Sequence, residues 1–378
     1  MKRTFCILLV FCLLSGCVSA MAAPAPPSPS VSAPSAILME KSTGQILYDK
    51  DPMRHYCPAS VTKIMTMLLI VEDIEAGRLS LEDTVTASAR AASFGGSCVF
   101  LAEGERMSVS DMLKCIAVVS ANDCAVAMAE HISGSEQEFV LRMNRRAAEL
   151  GLKDTNFTNC TGLFDDANHY TCAYDVALMS RELIGHDMIK NYTTIWMDSI
   201  RGGEFELSST NRLVYWYPGC TGLKTGYTEA AKYCLSATAE REGVEYIAVV
   251  MHAESADGRN SDAQALLDHA FTYYGLCPLK GAQPPAVRVD MGKEQFVPAT
   301  LGGPDHAVLP KSSSPAEYTL SMEKRVSAPV KAGDKLGVLI VRREGKTVAK
   351  LPVLAARDVP RLGFFGILGR ISLSLLGI

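Results

Sequence analysis

Three short strings fall in one order along the 378-residue chain: Ser60-Val61-Thr62-Lys63, then Ser120-Ala121-Asn122, then Lys224-Thr225-Gly226. If they work together, the fold must carry distant segments to one hollow, and few architectures do so. A serine hydroxyl at neutral pH is a poor nucleophile until a neighbouring base takes its proton. Ser60 follows Pro58 and opens the apolar run Ile64–Val71, which ends near Gly77, so the pattern predicts a buried helix over Ser60–Ala76. Positions i and i+3 share a helix face, which brings Lys63 within reach of the Ser60 hydroxyl.

Coincidence has to be sifted first. A second S-x-x-K string, Ser321 to Lys324, lies in the alternating stretch Tyr318–Glu323, where a strand would point residues three apart to opposite faces. A second S-x-N string, Ser209-Thr210-Asn211, sits in a polar stretch with loop character. Lys224-Thr225-Gly226 occurs once, where composition alone gives an expectation on the order of a tenth. It follows the turn signal Tyr217-Pro218-Gly219 and leads toward the strand-like Tyr233–Ala239. The glycine would let a substrate backbone approach the strand edge closely.

On these residues the chain resembles the low-molecular-weight penicillin-binding proteins of the peptidase S11 type, serine D-alanyl-D-alanine carboxypeptidases that trim peptidoglycan stem peptides. The likeness takes in Leu38–Tyr48, Pro58-Ala59, Phe94-Gly95-Gly96-Ser97 and Gly222-Leu223, and covers about residues 35 to 360. It implies an α+β fold of the DD-peptidase/β-lactamase type: an antiparallel five-stranded sheet with helices beside a helical lobe, the site in the cleft between them. A small all-β C-terminal domain and a short apolar C-terminal helix would follow.

The resemblance also implies roles. Ser60 would attack the penultimate D-alanine carbonyl of a stem pentapeptide ending in D-Ala-D-Ala, and β-lactam antibiotics would inhibit by acylating it. Lys63 would accept the Ser60 proton, which needs its pKa brought down from about 10.4; three units correspond to about 4 kcal/mol. Burial and the second cation, Lys224, push that way, as does the helix N-terminus. Ser120 would pass a proton toward the leaving amine, and Asn122 would bond the substrate amide or Lys63. Ser120-Ala121-Asn122 could equally cap a helix starting at Asp123. Lys224 and Thr225 would face the substrate carboxylate, and the backbone N–H groups of Ser60 and Tyr227, next to Gly226, would bind the oxyanion. Arg259, in Gly258-Arg259-Asn260, is a further carboxylate-binding candidate, although a loop arginine is more often just solvated. No cofactor is called for.

Composition is that of a globular chain, 48% hydrophobic and 21% charged with formal net charge −4, and without the basic excess of nucleic-acid binders. Lys2-Arg3, the apolar Phe5–Leu14 and Ala20-Met21-Ala22 read as a secretory signal over residues 1–22, whose removal takes the charge from −4 to −6. Leu14-Ser15-Gly16-Cys17 offers a lipoprotein alternative, with Cys17 acylated. Either way the chain is exported, to the outer face of the cytoplasmic membrane or the cell wall. Residues 23–34, rich in Pro, Ala and Ser, read as a flexible lead. Outside the signal nine cysteines remain, with no C-x-x-C and no histidine at ligand spacing, so no zinc site is expected. Cys115, Cys124 and Cys234 read as core residues, Cys57 and Cys98 as partly exposed thiols near the site.

Residues 35–277 form the catalytic unit. Strands are expected at Ala36–Glu40, Gln45–Tyr48, Tyr233–Ala239 and Glu245–Met251; helices at Val109–Val119, Asp123–Ile132, Glu136–Leu150, Asp175–Leu183 and Ser261–Tyr274. Residues 284–360, with Tyr318–Met322, Lys335–Arg342 and Thr347–Leu354, read as a small β domain. The apolar tail 361–378 is too short to span, since seventeen helical residues cover roughly 25 Å of a ~30 Å hydrocarbon core. It reads as a helix at the membrane interface, with packing on the β domain as the alternative.

Two rival functions remain at this level. A β-lactamase shares nucleophile and scaffold, but the Glu-x-x-x-Asn string expected between Asn122 and Lys224 in class A enzymes is absent. A wall-binding or penicillin-sensing protein would keep the site without turnover.

Overall fold

The computed structural model describes residues 26–278, 283–302, 306–311, 315–343, 345–364 and 366. The signal read over 1–22, Cys17, and most of the tail 361–378 lie outside the described residues.

Strands β1 (Ser35–Glu40) and β2 (Ile46–Lys50) form a hairpin whose turn is held by the Glu40 carboxylate, which accepts from the backbone N–H groups of Ser42 and Thr43. Among the described residues the lobe is built mainly from the longer helices α1 (Lys63–Glu75), α2 (Val109–Val118), α3 (Asn122–Ser133), α4 (Glu136–Glu149) and α5 (Ala173–Leu183). Helix α1 is apolar almost all round and buried from Lys63 to Val71, the pattern of a helix at the centre of a core. Each fully buried Ile, Leu or Met there contributes about 1.5–3 kcal/mol. Serine caps set the starts of α2 and α4: Ser108 accepts from Asp111 N–H and Ser135 from Glu138 N–H.

Strands β3 (Cys220–Thr228), β4 (Lys232–Arg241) and β5 (Val244–Ala253) then complete an antiparallel sheet in the order β2-β1-β5-β4-β3. Helix α6 (Ala256–Tyr273) closes one face, with Leu266 and Leu267 against Leu38, Leu235 and Val250. Ile37, Met39, Ile247 and Val249 point the other way, into the lobe. Burial on both faces is why β1 and β5 read as continuous apolar runs. Edge strand β3 is left beside the lobe, where a cleft can form.

Three expectations need correction. The helix expected over Ser60–Ala76 begins only at Lys63; Ala59–Thr62 is a tighter 3₁₀ turn. The helix expected over Ser261–Tyr274 starts at Ala256, because Ser255 caps it by accepting from Gly258 N–H. The lead 23–34 is tied down at its end: Ser32 and Ala33 donate backbone N–H groups to the Asp262 carboxylate, and Ala33 is buried.

Strand Tyr274–Pro278 leaves α6 and pairs with His306–Pro310. The β domain beyond holds a four-stranded sheet, Ala299–Leu301, Lys346–Ala355, Lys335–Arg343 and Glu317–Met322 in that order, and a three-stranded one around Val287–Asp290. Ser321 pairs with Val338 inside a strand while Lys324 lies past its end, so this S-x-x-K string is no unit. At the start of the tail Leu362 N–H donates to Met291, whereas Phe364 is 72% exposed. All nine described cysteines are free thiols; Cys115, Cys124 and Cys234 are buried, Cys57 and Cys98 half-buried.

Candidate active site

Lys63 sits fully buried on the first turn of α1. Its Nζ lies 2.9 Å from Ser60 Oγ, 2.6 Å from Asn122 Oδ1 and 2.8 Å from the Thr161 carbonyl. The Asn122 amide orientation follows from its other end, where Nδ2 donates to the Gly95 carbonyl at 2.8 Å. Asn122 Oδ1 and Thr161 O can only accept. A neutral amine therefore spends both N–H bonds on them, and its lone pair is left for the Ser60 hydroxyl. Burial lowers the Lys63 pKa to about 7, against the opposing pull of the Cys160 and Cys98 thiols and Asp123.

Ser120 links α2 to α3 with φ 65°, a left-handed conformation uncommon outside glycine, and its buried hydroxyl has no hydrogen-bond partner. An unpartnered buried hydroxyl costs about 1–3 kcal/mol, and backbone strain of this kind a similar amount. Such costs collect where a group is kept ready for a substrate. The capping alternative is not realised: α3 begins at Asn122, and Ala121 at its cap makes no side-chain bond.

The second wall is β3. Lys224 is buried, and its Nζ donates to the Thr225 carbonyl at 3.0 Å. Burial and repulsion from Lys63 and Arg259 push its pKa well down. Thr225 Oγ1 donates to Thr210 Oγ1 at 2.8 Å, so the second S-x-N string, set aside as loop, borders the site through its middle residue. Gly226 makes room for the protein's own backbone: a Cβ there would lie 2.9 Å from Pro58 O and 3.1 Å from Ser60 N. Tyr227 is half-exposed at the open end of β3, its ring 4.4 Å from that of Tyr233. Just beyond, Thr228 Oγ1 donates to Asp165 Oδ1 at 2.5 Å.

Arg259, put forward as a carboxylate-binding candidate, is not the solvated loop arginine weighed against that role. It lies in the first turn of α6, only 7% exposed, and donates Nε and Nη2 to Asn260 Oδ1. Burial lowers its pKa to about 10. None of the ion pairs among the described residues reaches Lys63, Lys224 or Arg259. Buried basic side chains without a carboxylate partner make a ready receptor for an anion.

Two groups of possible metal ligands lie elsewhere, Glu72/Glu182/His186 and Asp154/Cys172/Asp175. Arg146 already bridges Glu72 and Glu182, and Asp175 accepts from Thr155 and Asp154 N–H. Sequence reading missed the Thr161 carbonyl, which has no residue signature, and Gly162, whose turn signal in Asn159-Cys160-Thr161-Gly162 was there to be seen. A Cβ on Gly162 would lie 1.8 Å from Ala59 O.

Comparison with known proteins places the chain in a family. Residues 20–255 match the Peptidase S11 family model, described as D-alanyl-D-alanine carboxypeptidase, and residues 279–361 match the C-terminal domain of penicillin-binding protein 5. The D-alanyl-D-alanine carboxypeptidase DacF of Bacillus subtilis is 44% identical over 89% of this chain and 88% of its own. DacD of Escherichia coli K12 is 34% identical over 95% of this chain and 96% of its own. Among solved structures, penicillin-binding protein 5 from Haemophilus influenzae superimposes with a TM-score of 0.81 at 28% identity, covering 89% of this chain and 99% of that one. The chain belongs to the peptidase S11 family of serine D-alanyl-D-alanine carboxypeptidases.

Proposed function

We propose that Ser60 carries the D-alanyl-D-alanine carboxypeptidase activity of this family in the present chain, with Lys63 as its base. The observation that supports this most is the hydrogen-bond geometry of Lys63: two acceptor-only partners hold its protons and leave the lone pair toward Ser60 Oγ. The substrate is a peptidoglycan stem peptide ending in D-Ala-D-Ala. Its terminal carboxylate is received near Lys224, Thr225 and Arg259, buried basic and hydroxyl side chains. Ser60 Oγ gives its proton to Lys63 Nζ and bonds to the penultimate carbonyl carbon, and the oxyanion is held by the Ser60 and Tyr227 N–H groups. Collapse breaks the peptide bond, the proton passes through Ser120 to the amine, and free D-alanine departs. Water then hydrolyses the ester. A β-lactam forms the same ester, but its leaving nitrogen stays tethered.

The enzyme acts outside the cytoplasm, on the wall. No helix of the described residues is long and apolar enough to cross a membrane. The tail 361–378 is proposed to rest at the membrane surface, a reading supported by its apolar sequence.

The test is incubation with a diacyl-L-lysyl-D-alanyl-D-alanine peptide, following free D-alanine, together with trapping by labelled penicillin. Ser60→Ala should lose both release and labelling. Wild-type release by that variant would refute the assignment. Rapid penicillin loss would identify a β-lactamase, and labelling without release a non-catalytic sensor.

A further inference from the structure

His169 is 1% exposed, touches neither Ser60 nor Lys63, and has no part in the chemistry above. Its two ring nitrogens are nevertheless fully committed. Nδ1 lies 2.9 Å from the Thr158 backbone nitrogen, whose N–H can only donate, so Nδ1 carries no proton and Nε2 does. Nε2 lies 2.8 Å from Thr62 Oγ1 and must donate to it. The Thr62 hydroxyl in turn donates to the Ala59 carbonyl at 2.8 Å. One relay thus runs from the Thr158 amide through the ring to the residue before the nucleophile, each bond polarising the next.

Ala59 needs such a hold. Its φ of 47° is left-handed, a conformation that costs a residue with a side chain roughly 1–2 kcal/mol. The same loop also grips the base, because the Thr161 carbonyl accepts from Lys63. The loop is itself pinned, by reciprocal backbone bonds between Asn156 and Tyr170 and between Tyr56 and Thr171, and by Asn159 Oδ1, which accepts from Thr161 and Gly162 N–H. Burial holds the His169 pKa at about 4, so the ring stays neutral and Nδ1 remains an acceptor.

We propose that His169 is a positioning residue for acylation: its Nε2–H locks the Thr62 hydroxyl onto the Ala59 carbonyl and so sets the Ser60 turn against Lys63. This rests on Ser60 being the nucleophile. Only the Nε2 arm reaches the turn, and that separates positioning from general support of the fold. In a His169→Gln variant the amide N–H₂ occupies the Nε2 place and still donates to Thr62. In His169→Asn the amide reaches only the Nδ1 place. Thr62→Val removes the hydroxyl while keeping the branched shape.

The experiment measures labelled-penicillin acylation, resolved into affinity and maximal rate, together with kcat and KM for D-alanine release in the full chain. A displacement of about 1 Å costs about 10²-fold in rate. His169→Asn and Thr62→Val should each slow maximal acylation by about that factor, with KM within about twofold of the parent. His169→Gln should retain most of the rate, and the His169→Asn/Thr62→Val double variant should be no slower than either single one. Equal rates for the Asn and Gln variants would overturn the proposal, as would multiplicative losses in the double variant. Thr62→Val acylating at the parental rate would overturn it whatever the histidine variants do. These variants should still reach full labelling, slowly, whereas Ser60→Ala never labels, so failure of the nucleophile assignment is seen separately.

Discussion

Gly226 of β3 lies directly against the amide of Ser60, so close that a single added carbon would stand 3.1 Å from that nitrogen. The strand proposed to face the substrate and the turn that holds the proposed nucleophile are therefore in backbone contact. Gly226→Ala should push them apart and misplace the oxyanion donors while leaving the core untouched. The expected loss is about 10² to 10³ in kcat, the cost of one such donor, with the melting temperature little changed. Steady-state D-alanine release alongside thermal melting checks both halves.

Acylation should depend on pH through Lys63. Its pKa is lowered to about 7, so the neutral form gains as pH rises through that value. Maximal acylation by penicillin should climb to a plateau above about pH 8 and fall about tenfold per unit well below 7. Lys63→Arg, charged at every accessible pH, should show no rise at all. Stopped acylation time courses across this range would show it.

Substrate binding should take up protons. Burial and two neighbouring cations depress the Lys224 pKa, and an arriving carboxylate pushes it back up. Titrating an uncleaved peptide into the Ser60→Ala protein, by calorimetry in two buffers of different ionisation enthalpy, should reveal net uptake of up to about one proton. Lys224→Ala should abolish that uptake and raise KM roughly tenfold or more while moving kcat far less, as expected for loss of a charged hydrogen bond of about 1.5–3 kcal/mol.

Asp123 supports the site from behind. Its buried carboxylate accepts from the backbone N–H groups of Val99, Leu101 and Cys124. Asp123→Ala strands the first two, each at about 1–3 kcal/mol. A loss near 3 kcal/mol should lower the melting temperature by roughly 6–12 °C. Scanning calorimetry is the measurement.

What could be read beforehand follows from range. Ser60 and Lys63 are three residues apart, and local geometry decides whether they meet; the 3₁₀ turn that replaced the first helical turn left them 2.9 Å apart. The buried faces of β1 and β5 were legible as apolar runs. Their pairing was not, since alternation tells which way side chains point and not which strand lies alongside. Arg259 was misplaced because Gly258 looked like a loop residue, and only the Ser255 cap makes that glycine the first turn of a helix. Thr210 lay in a string set aside as loop, while Thr161 and His169 gave no signal because their parts are played by contacts across the fold.

Strand β1 spends its hydrogen bonds on β2 at one side and on β5 at the other, and β5 follows it only after about two hundred residues. A chain emerging from its amino end thus cannot finish the central sheet until the last strand arrives, and β3, docked through β4 and β5, cannot be seated before then. The Ser60 turn and its strand wall come together only at the close of folding, so on the proposed mechanism a nascent or threaded chain carries its serine unarmed.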